Sequence, residues 1–147
     1  MAHKTLFGQA HEHRALWTGL KLLALLFLAS EVAAKGSGSR VPPLTFAELK
    51  QLALTVGFPA SGADVAAAIA LAESAGIVAA RGDSGSSFGL WQVHAPAWPQ
   101  FDALQLLDAT YNAKAALVIS KGGTDFSPWS TFKSGAYLQF MPPQGSV

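Results

Sequence analysis

The chain has 147 residues, a formal net charge of +1 and only 13% charged residues. A chain of this size holds one domain with at most an attached segment, and it carries no broad basic field for nucleic acid. Cysteine is absent, which excludes disulfides and cysteine–zinc sites, while half of the residues are hydrophobic, enough for a real core.

Residues 1–14 are polar, with Lys4, Arg14 and three histidines. LWTGLKLLALLFLA, residues 16–29, is apolar apart from Lys21, and Val32-Ala33-Ala34 follows. A basic start, a short apolar run and small residues have the layout of a secretory signal. A membrane span needs about 20 apolar residues, and Lys21 and Glu31 interrupt this run. Three readings stay open: a cleaved signal, a short membrane anchor, or a helix packed in an interface. Residues 1–34 are set apart on these grounds. KGSGSRVPP, residues 35–43, is flexible and then proline-stopped, so 35–44 reads as a linker. The compact domain is expected over 45–140, with a loose tail at 141–147.

Thr45-Phe46-Ala47-Glu48 has the pattern of a capping box, and the helix it opens should run from Phe46 to about Val56, stopped by Gly57. Ser61-Gly62-Ala63-Asp64 predicts a second start, with Asp64 in the first turn, and a helix through DVAAAIALAES, residues 64–74. Phe88 to His94 reads as extended, one arm of a small hairpin. Asp108 is placed to cap a third helix through Ala113, Ala116, Leu117 and Ile119, ended by Gly122-Gly123. Ser127-Pro128 sets proline at the first position of a fourth. The class is mainly α, a single helical domain with a cleft and little strand.

The second helix carries the chemistry. From Val65 to Ala72 it has no polar side chain, as expected of a buried helix. Glu73 then lies four and eight residues beyond Ile69 and Val65, near the same face. A carboxyl group leaving the end of a buried helix is desolvated, which raises its pKa and suits it to donate a proton near neutral pH. A glutamate at a plain exposed helix end is the simpler reading. The surroundings weigh against it: a Gly/Ser loop follows, then Phe88, Trp91, Trp98 and Trp129 with flat apolar faces. Gln92, Asn112 and serine hydroxyls, Ser87 among them, add hydrogen-bonding groups. Such a set suits a carbohydrate cleft, although any one of these aromatics is a candidate for the core as well.

AIALAES, SSFGLWQV, DATYNAKAAL and SPWSTFKSGAY, in that order, resemble the lysozyme-like domain of the soluble lytic transglycosylases, above all the variety in phage tail and tape-measure proteins. The resemblance covers residues 64–137. It implies that Glu73 is the essential acid/base and that Gly89, Leu90 and Gln92 line the cleft, with Trp91 in the variable place. The third block maps onto Asp108 and Asn112, and the last sets a tyrosine, Tyr137, near the site. Ser87 and Trp129 join the expected substrate contacts. Two departures mark a divergent branch: the family pattern has serine at Asp83 and Gly-Ala at Ser86-Ser87, and a glycine at Ala116.

The implied activity is cleavage of the β-1,4 bond between N-acetylmuramic acid and N-acetylglucosamine, with no cofactor. Glu73 alone suffices for a transglycosylase, whereas a hydrolase normally needs a second carboxylate; Asp83 is the best candidate, ahead of Asp102 and Asp108. The implied partner is the glycan strand of peptidoglycan. Virion proteins are candidate partners for the N-terminal segment, and the setting is a virion, the cell envelope or the extracellular space. A domain that has lost activity but remains a structural or glycan-binding component is the alternative.

Gly82-Asp83-Ser84-Gly85 spells the surroundings of a trypsin-like nucleophile, but every histidine upstream of Ser84 lies in the polar N-terminal tail, and the chain is too short and too helical for two β-barrels. His11-Glu12-His13 points its imidazoles to different sides of a helix, so no metal site is expected.

Overall fold

The computed structural model describes residues 41–143. The N-terminal segment, most of the linker and residues 144–147 lie outside the described residues, and with them the readings placed there. Helix α1 spans Phe46–Val56 and α2 spans Ala60–Ser74. Three two-residue strands follow: β1 Arg81–Gly82, β2 Ser87–Phe88 and β3 Val93–His94. Then come α3, Ala109–Ile119, and the single turn α4, Ser130–Lys133, with a tight 3-10 stretch at Ala136–Phe140. The domain is mainly helical with one small sheet, as the sequence implies.

The capping box forms in full: Thr45 Oγ1 accepts from the Glu48 N–H, and Glu48 accepts from the Thr45 N–H at 2.8 Å. Gly57, at φ 111°, closes α1 in the left-handed conformation that favours glycine. Helix α2 begins at Ala60 rather than near Asp64. The extended Pro59 (ψ 154°) ends the preceding turn, and its carbonyl accepts from the N–H groups of both Gly62 and Ala63. Asp64 therefore lies past the first turn, where it pairs with Lys50 of α1 at 2.8 Å.

Helix α2 is the centre of the fold. Ala66 through Ala70 are fully buried, and α2 packs against α1, α4 and the Ala136–Phe140 stretch. Alanine suits this place twice over: it loses no side-chain entropy in a helix, and it lets neighbouring backbones approach. Helix α3 starts at the expected residue, because Asp108 accepts from the Tyr111 N–H at 2.9 Å, and it packs on α1.

Two further expectations change. Phe88 to His94 is not one extended arm but a whole hairpin. Gly89 at φ 76° and Gln92 at φ 44° reverse the chain between β2 and β3, which pair antiparallel with Ser87 opposite His94 and Phe88 opposite Val93. Strand β1 adds to the other edge of β2, with Arg81 opposite Phe88 and Gly82 opposite Ser87. Proline at 128 does not open a helix. Asp125 Oδ1 accepts from the N–H and hydroxyl of Ser127 in a local turn that competes with helix, and α4 starts only after Trp129.

Candidate active site

Glu73 stands in the last turn of α2, half-buried. Burial pushes its carboxyl pKa up, and the charge of Asp83 adds to that rise. Thr131 works the other way. Its hydroxyl donates to Glu73 Oε1 at 2.6 Å, and its backbone also helps the ionised form. Desolvation outweighs these bonds, so Glu73 holds its proton more tightly than a carboxyl in water. The helix ends directly beyond it: Ala75 turns to φ 53°, and Gly76 follows at φ 79°, where a Cβ would meet the Leu44 carbonyl oxygen. This abrupt stop leaves the carboxyl at the edge of the packed interior.

The Gly89-Leu90-Trp91-Gln92 turn is fastened to the helices by a buried polar network. Asn112 on α3 accepts from the Trp91 N–H at 2.9 Å and donates to the carbonyls of Phe88 and Leu106, each at 2.9 Å. The Trp91 indole donates to the Ala66 carbonyl of α2 at 2.9 Å, and the Trp129 indole donates to the Trp91 carbonyl at 2.8 Å. Gly89 is required where it stands, since a Cβ there would lie 2.2 Å from the Leu106 carbonyl oxygen and 2.3 Å from Asn112 Nδ2. Leu90 and Asn112 are fully buried, Trp91 is 1% exposed and Trp129 6%. The polar groups of this network are occupied by the protein itself. Leu90, Trp91 and Asn112 therefore hold this turn in place through buried contacts, and Trp129, joined to it through its indole N–H, also lines the groove.

What faces outward is narrower. A groove of about 70 Å³ is lined by Gln92, Val93, His94, Trp98, Ile119, Pro128 and Trp129. Gln92 is partly exposed, and its amide donates to the Gly89 carbonyl at 2.9 Å. Gly82 makes room for it: a Cβ at Gly82 would sit 2.2 Å from Gln92 Oε1. Tyr137 stacks on Phe132 with ring centroids 4.9 Å apart. The hydroxyl that reaches Glu73 belongs to Thr131.

Asp83 lies in the turn between β1 and β2, and its side chain is 71% exposed. Its Oδ2 accepts from the Ser87 hydroxyl at 2.5 Å, and Ser87 Oγ is 3.2 Å from His94 Nδ1. Ser87 is 2% exposed, so its hydroxyl is taken up here as well. Ser84, the serine of the protease-like tetrapeptide, is exposed in the turn at φ 55°. The other two acidic candidates act as caps: Asp102 accepts from the N–H groups of Leu104 and Gln105, and Asp108 from that of Tyr111. Arg81 lies over the Phe88 ring, 5.2 Å from its centroid.

Two of these contacts leave no signal in the sequence alone. Thr131 sits 58 positions from Glu73, with no periodic signal linking them. His94 could have been paired with Ser87 from a hairpin register, but only once the turn at Gly89–Gln92 was recognised. Among the described residues no group of three or more His, Asp or Glu could hold a metal ion; His11-Glu12-His13 lies outside them.

A family model described as "Lysozyme like domain" matches residues 50–131, more than half of the chain. That span includes Glu73, Asp83, the hairpin, Asn112 and Thr131. No curated protein and no solved structure matches the chain.

Proposed function

The chain belongs to the lysozyme-like domain family, and on that premise we propose that it cleaves peptidoglycan glycan strands between N-acetylmuramic acid and N-acetylglucosamine, with Glu73 as the proton donor. The observation that carries this reading is the state of Glu73: a half-buried carboxyl at the edge of the core, with its proton affinity raised by burial. A general acid must hold its proton at working pH and release it to the leaving oxygen.

Glu73 protonates the glycosidic oxygen as the bond to the muramic C1 breaks. In the transglycosylase scheme the resulting carboxylate then removes the proton of the muramic 6-hydroxyl, which closes onto C1 as a 1,6-anhydro product. The Thr131 hydroxyl, already donating to Oε1, supports that ionised state between the two steps. General acid–base help of this kind contributes about 10² to 10⁴ in rate.

Hydrolysis is the second reading, and Asp83 favours it. Its carboxylate is near enough for its charge to act on Glu73 and is held by Ser87. Hydrolysis would need it to activate a water.

Zymography on purified peptidoglycan tests the proposal. Clearing by wild type but not by Glu73→Gln supports it; a folded wild type that clears nothing makes the domain a binding or structural component instead. Mass spectrometry of the products then separates anhydro-muropeptides from reducing ends.

A further inference from the structure

We propose that Ser87 and His94 are positioning residues that hold the Asp83 carboxylate in place beside the Glu73 site, through a hydroxyl bridge built across the small sheet. The proposal rests on the reading of Glu73 as the acid, and it reassigns Ser87 from substrate contact to support.

The register of the sheet makes the bridge. Gly82, Ser87 and His94 are successive partners across β1, β2 and β3, and Asp83 is the next residue after Gly82. Asp83 and Ser84 both take positive φ, 47° and 55°. Such conformations are unfavourable for residues with a Cβ and persist only where surrounding contacts hold them. The contacts here are the Asp83 carboxylate, which accepts from Ser87 Oγ at 2.5 Å, and the Asp83 carbonyl, which accepts from the Ser86 hydroxyl at 2.7 Å.

The direction of the bridge follows from proton counting. A serine hydroxyl has one proton, and a carboxylate can only accept, so that proton lies toward Asp83. The oxygen is then left as acceptor toward His94 Nδ1, 3.2 Å away, a bond that takes the tautomer with the proton on Nδ1. The order is imidazole N–H to hydroxyl to carboxylate. A nucleophilic serine needs the reverse, its own proton given to the imidazole, so this Ser–His–Asp group is a support and not a protease centre. His94 Nδ1 and Asp83 Oδ2 are 3.9 Å apart.

The tether matters because both ends face water: the side chains of His94 and Asp83 are 46% and 71% exposed. A carboxylate so exposed would sample several rotamers if free. Held by a buried serine, it presents a fixed negative charge to Glu73. The titratable and charged groups about it are Glu73, His94 and, on β1, Arg81, which lies against Phe88. His94 also lines the groove with Gln92 and Trp98.

The experiment follows the Glu73 carboxyl by ¹³C NMR titration in the whole chain and the Asp83 χ1 rotamer by scalar couplings. Asp83→Asn sets the reference: with the charge gone, Glu73 titrates at lower pH. Ser87→Ala and His94→Phe should move the Glu73 midpoint in the same direction by a smaller step and average the Asp83 couplings. His94→Asn, whose amide N–H can take the place of Nδ1–H, should restore both. Wild-type titration and a single Asp83 rotamer in both Ser87→Ala and His94→Phe would overturn the bridge. His94→Phe, at the surface, carries the test alone if Ser87→Ala unfolds. Activity is read separately: if Glu73→Gln cleaves as well as wild type, the acid assignment fails, while the titration result for the bridge stands.

Discussion

The Thr131 hydroxyl donates to Glu73 Oε1 at 2.6 Å, joining the end of α2 to α4 across 58 positions of chain. A donor to a carboxylate stabilises its charged form, so Thr131 restrains the rise in proton affinity that burial imposes. Replacing Thr131 by Val removes the donor at nearly constant shape. The Glu73 midpoint should rise, and the alkaline limb of the activity–pH profile should move up with it. Thr131→Ser should keep the wild-type profile. A Val variant whose limb stays in place, measured on soluble muropeptide substrate, would deny Thr131 this role.

Glu73→Gln should lower kcat/KM by about 10² to 10⁴, the range for loss of a general acid. The same change should raise the thermal midpoint at a pH above the raised Glu73 pKa, because a neutral amide replaces a carboxylate that is costly to bury and can still accept from Thr131. Calorimetry and kinetics on the one variant check both halves.

The pH dependence of stability has a definite sign. The folded pKa of Glu73 lies above its ordinary value of 4.5. Between 4.5 and the raised value the native state binds more protons than the unfolded one, so this group's contribution falls as pH rises through that window. Below it Glu73 is neutral in both states and costs nothing. Asp125, beside Lys121 and Ser127, and Glu48, in its capping box, have lowered values and act oppositely. Their contributions are present above the unfolded value and are lost as pH falls through the folded one. The stability advantage of Glu73→Gln over wild type should therefore be full above the raised folded pKa and vanish below 4.5. A constant difference in denaturation midpoint from pH 4 to 7 would contradict the desolvation argument.

Asn112→Ala should destabilise the domain by about 3 kcal/mol, since it leaves the Trp91 N–H and the Phe88 and Leu106 carbonyls without their buried partner. Urea denaturation measures the loss. Asn112→Asp keeps the acceptor but loses the two donors, and should recover only part of it.

Gly82→Ala puts a methyl group against Gln92 Oε1. The Gln92 amide can move, so the cost in stability should be small, about 1 kcal/mol for its bond to the Gly89 carbonyl. The displaced side chain lines the groove, so KM should rise severalfold with kcat little changed. An unaltered KM would remove Gln92 from the substrate path.

Signals local in sequence were legible. The capping box at Thr45, the glycine stop at Gly57 and the Asp108 cap each depend on residues three or four apart, and each forms. The burial of α2 followed from its run of apolar residues. The beginnings of α2 and α4 were misplaced because Pro59 and Asp125 act through backbone turns that imitate or compete with helix starts. At the candidate site, the partial burial of Glu73 was legible from its place at the end of an apolar helix. The roles of Trp91, Asn112 and Trp129 were not. An indole that faces sugar and one that donates to a buried carbonyl have the same letter, and only the long-range pairing distinguishes them. The same holds for Ser87, whose partners come from the turn before it and the strand opposite.

The five hydrogen bonds among Asn112, Trp91, Trp129, Ala66, Phe88 and Leu106 amount to a ruler that sets the Gly89–Gln92 turn at one distance from α2 and α3. Hydrocarbon packing is tolerant of exchange when volume is kept; a hydrogen bond is not, since its length and direction are narrowly set. Volume-keeping exchanges at the Leu, Ile and Ala positions of the core thus leave the seat of this turn unchanged. An exchange at Asn112 or at either indole would shift the turn at once, even in a core that otherwise packs equally well.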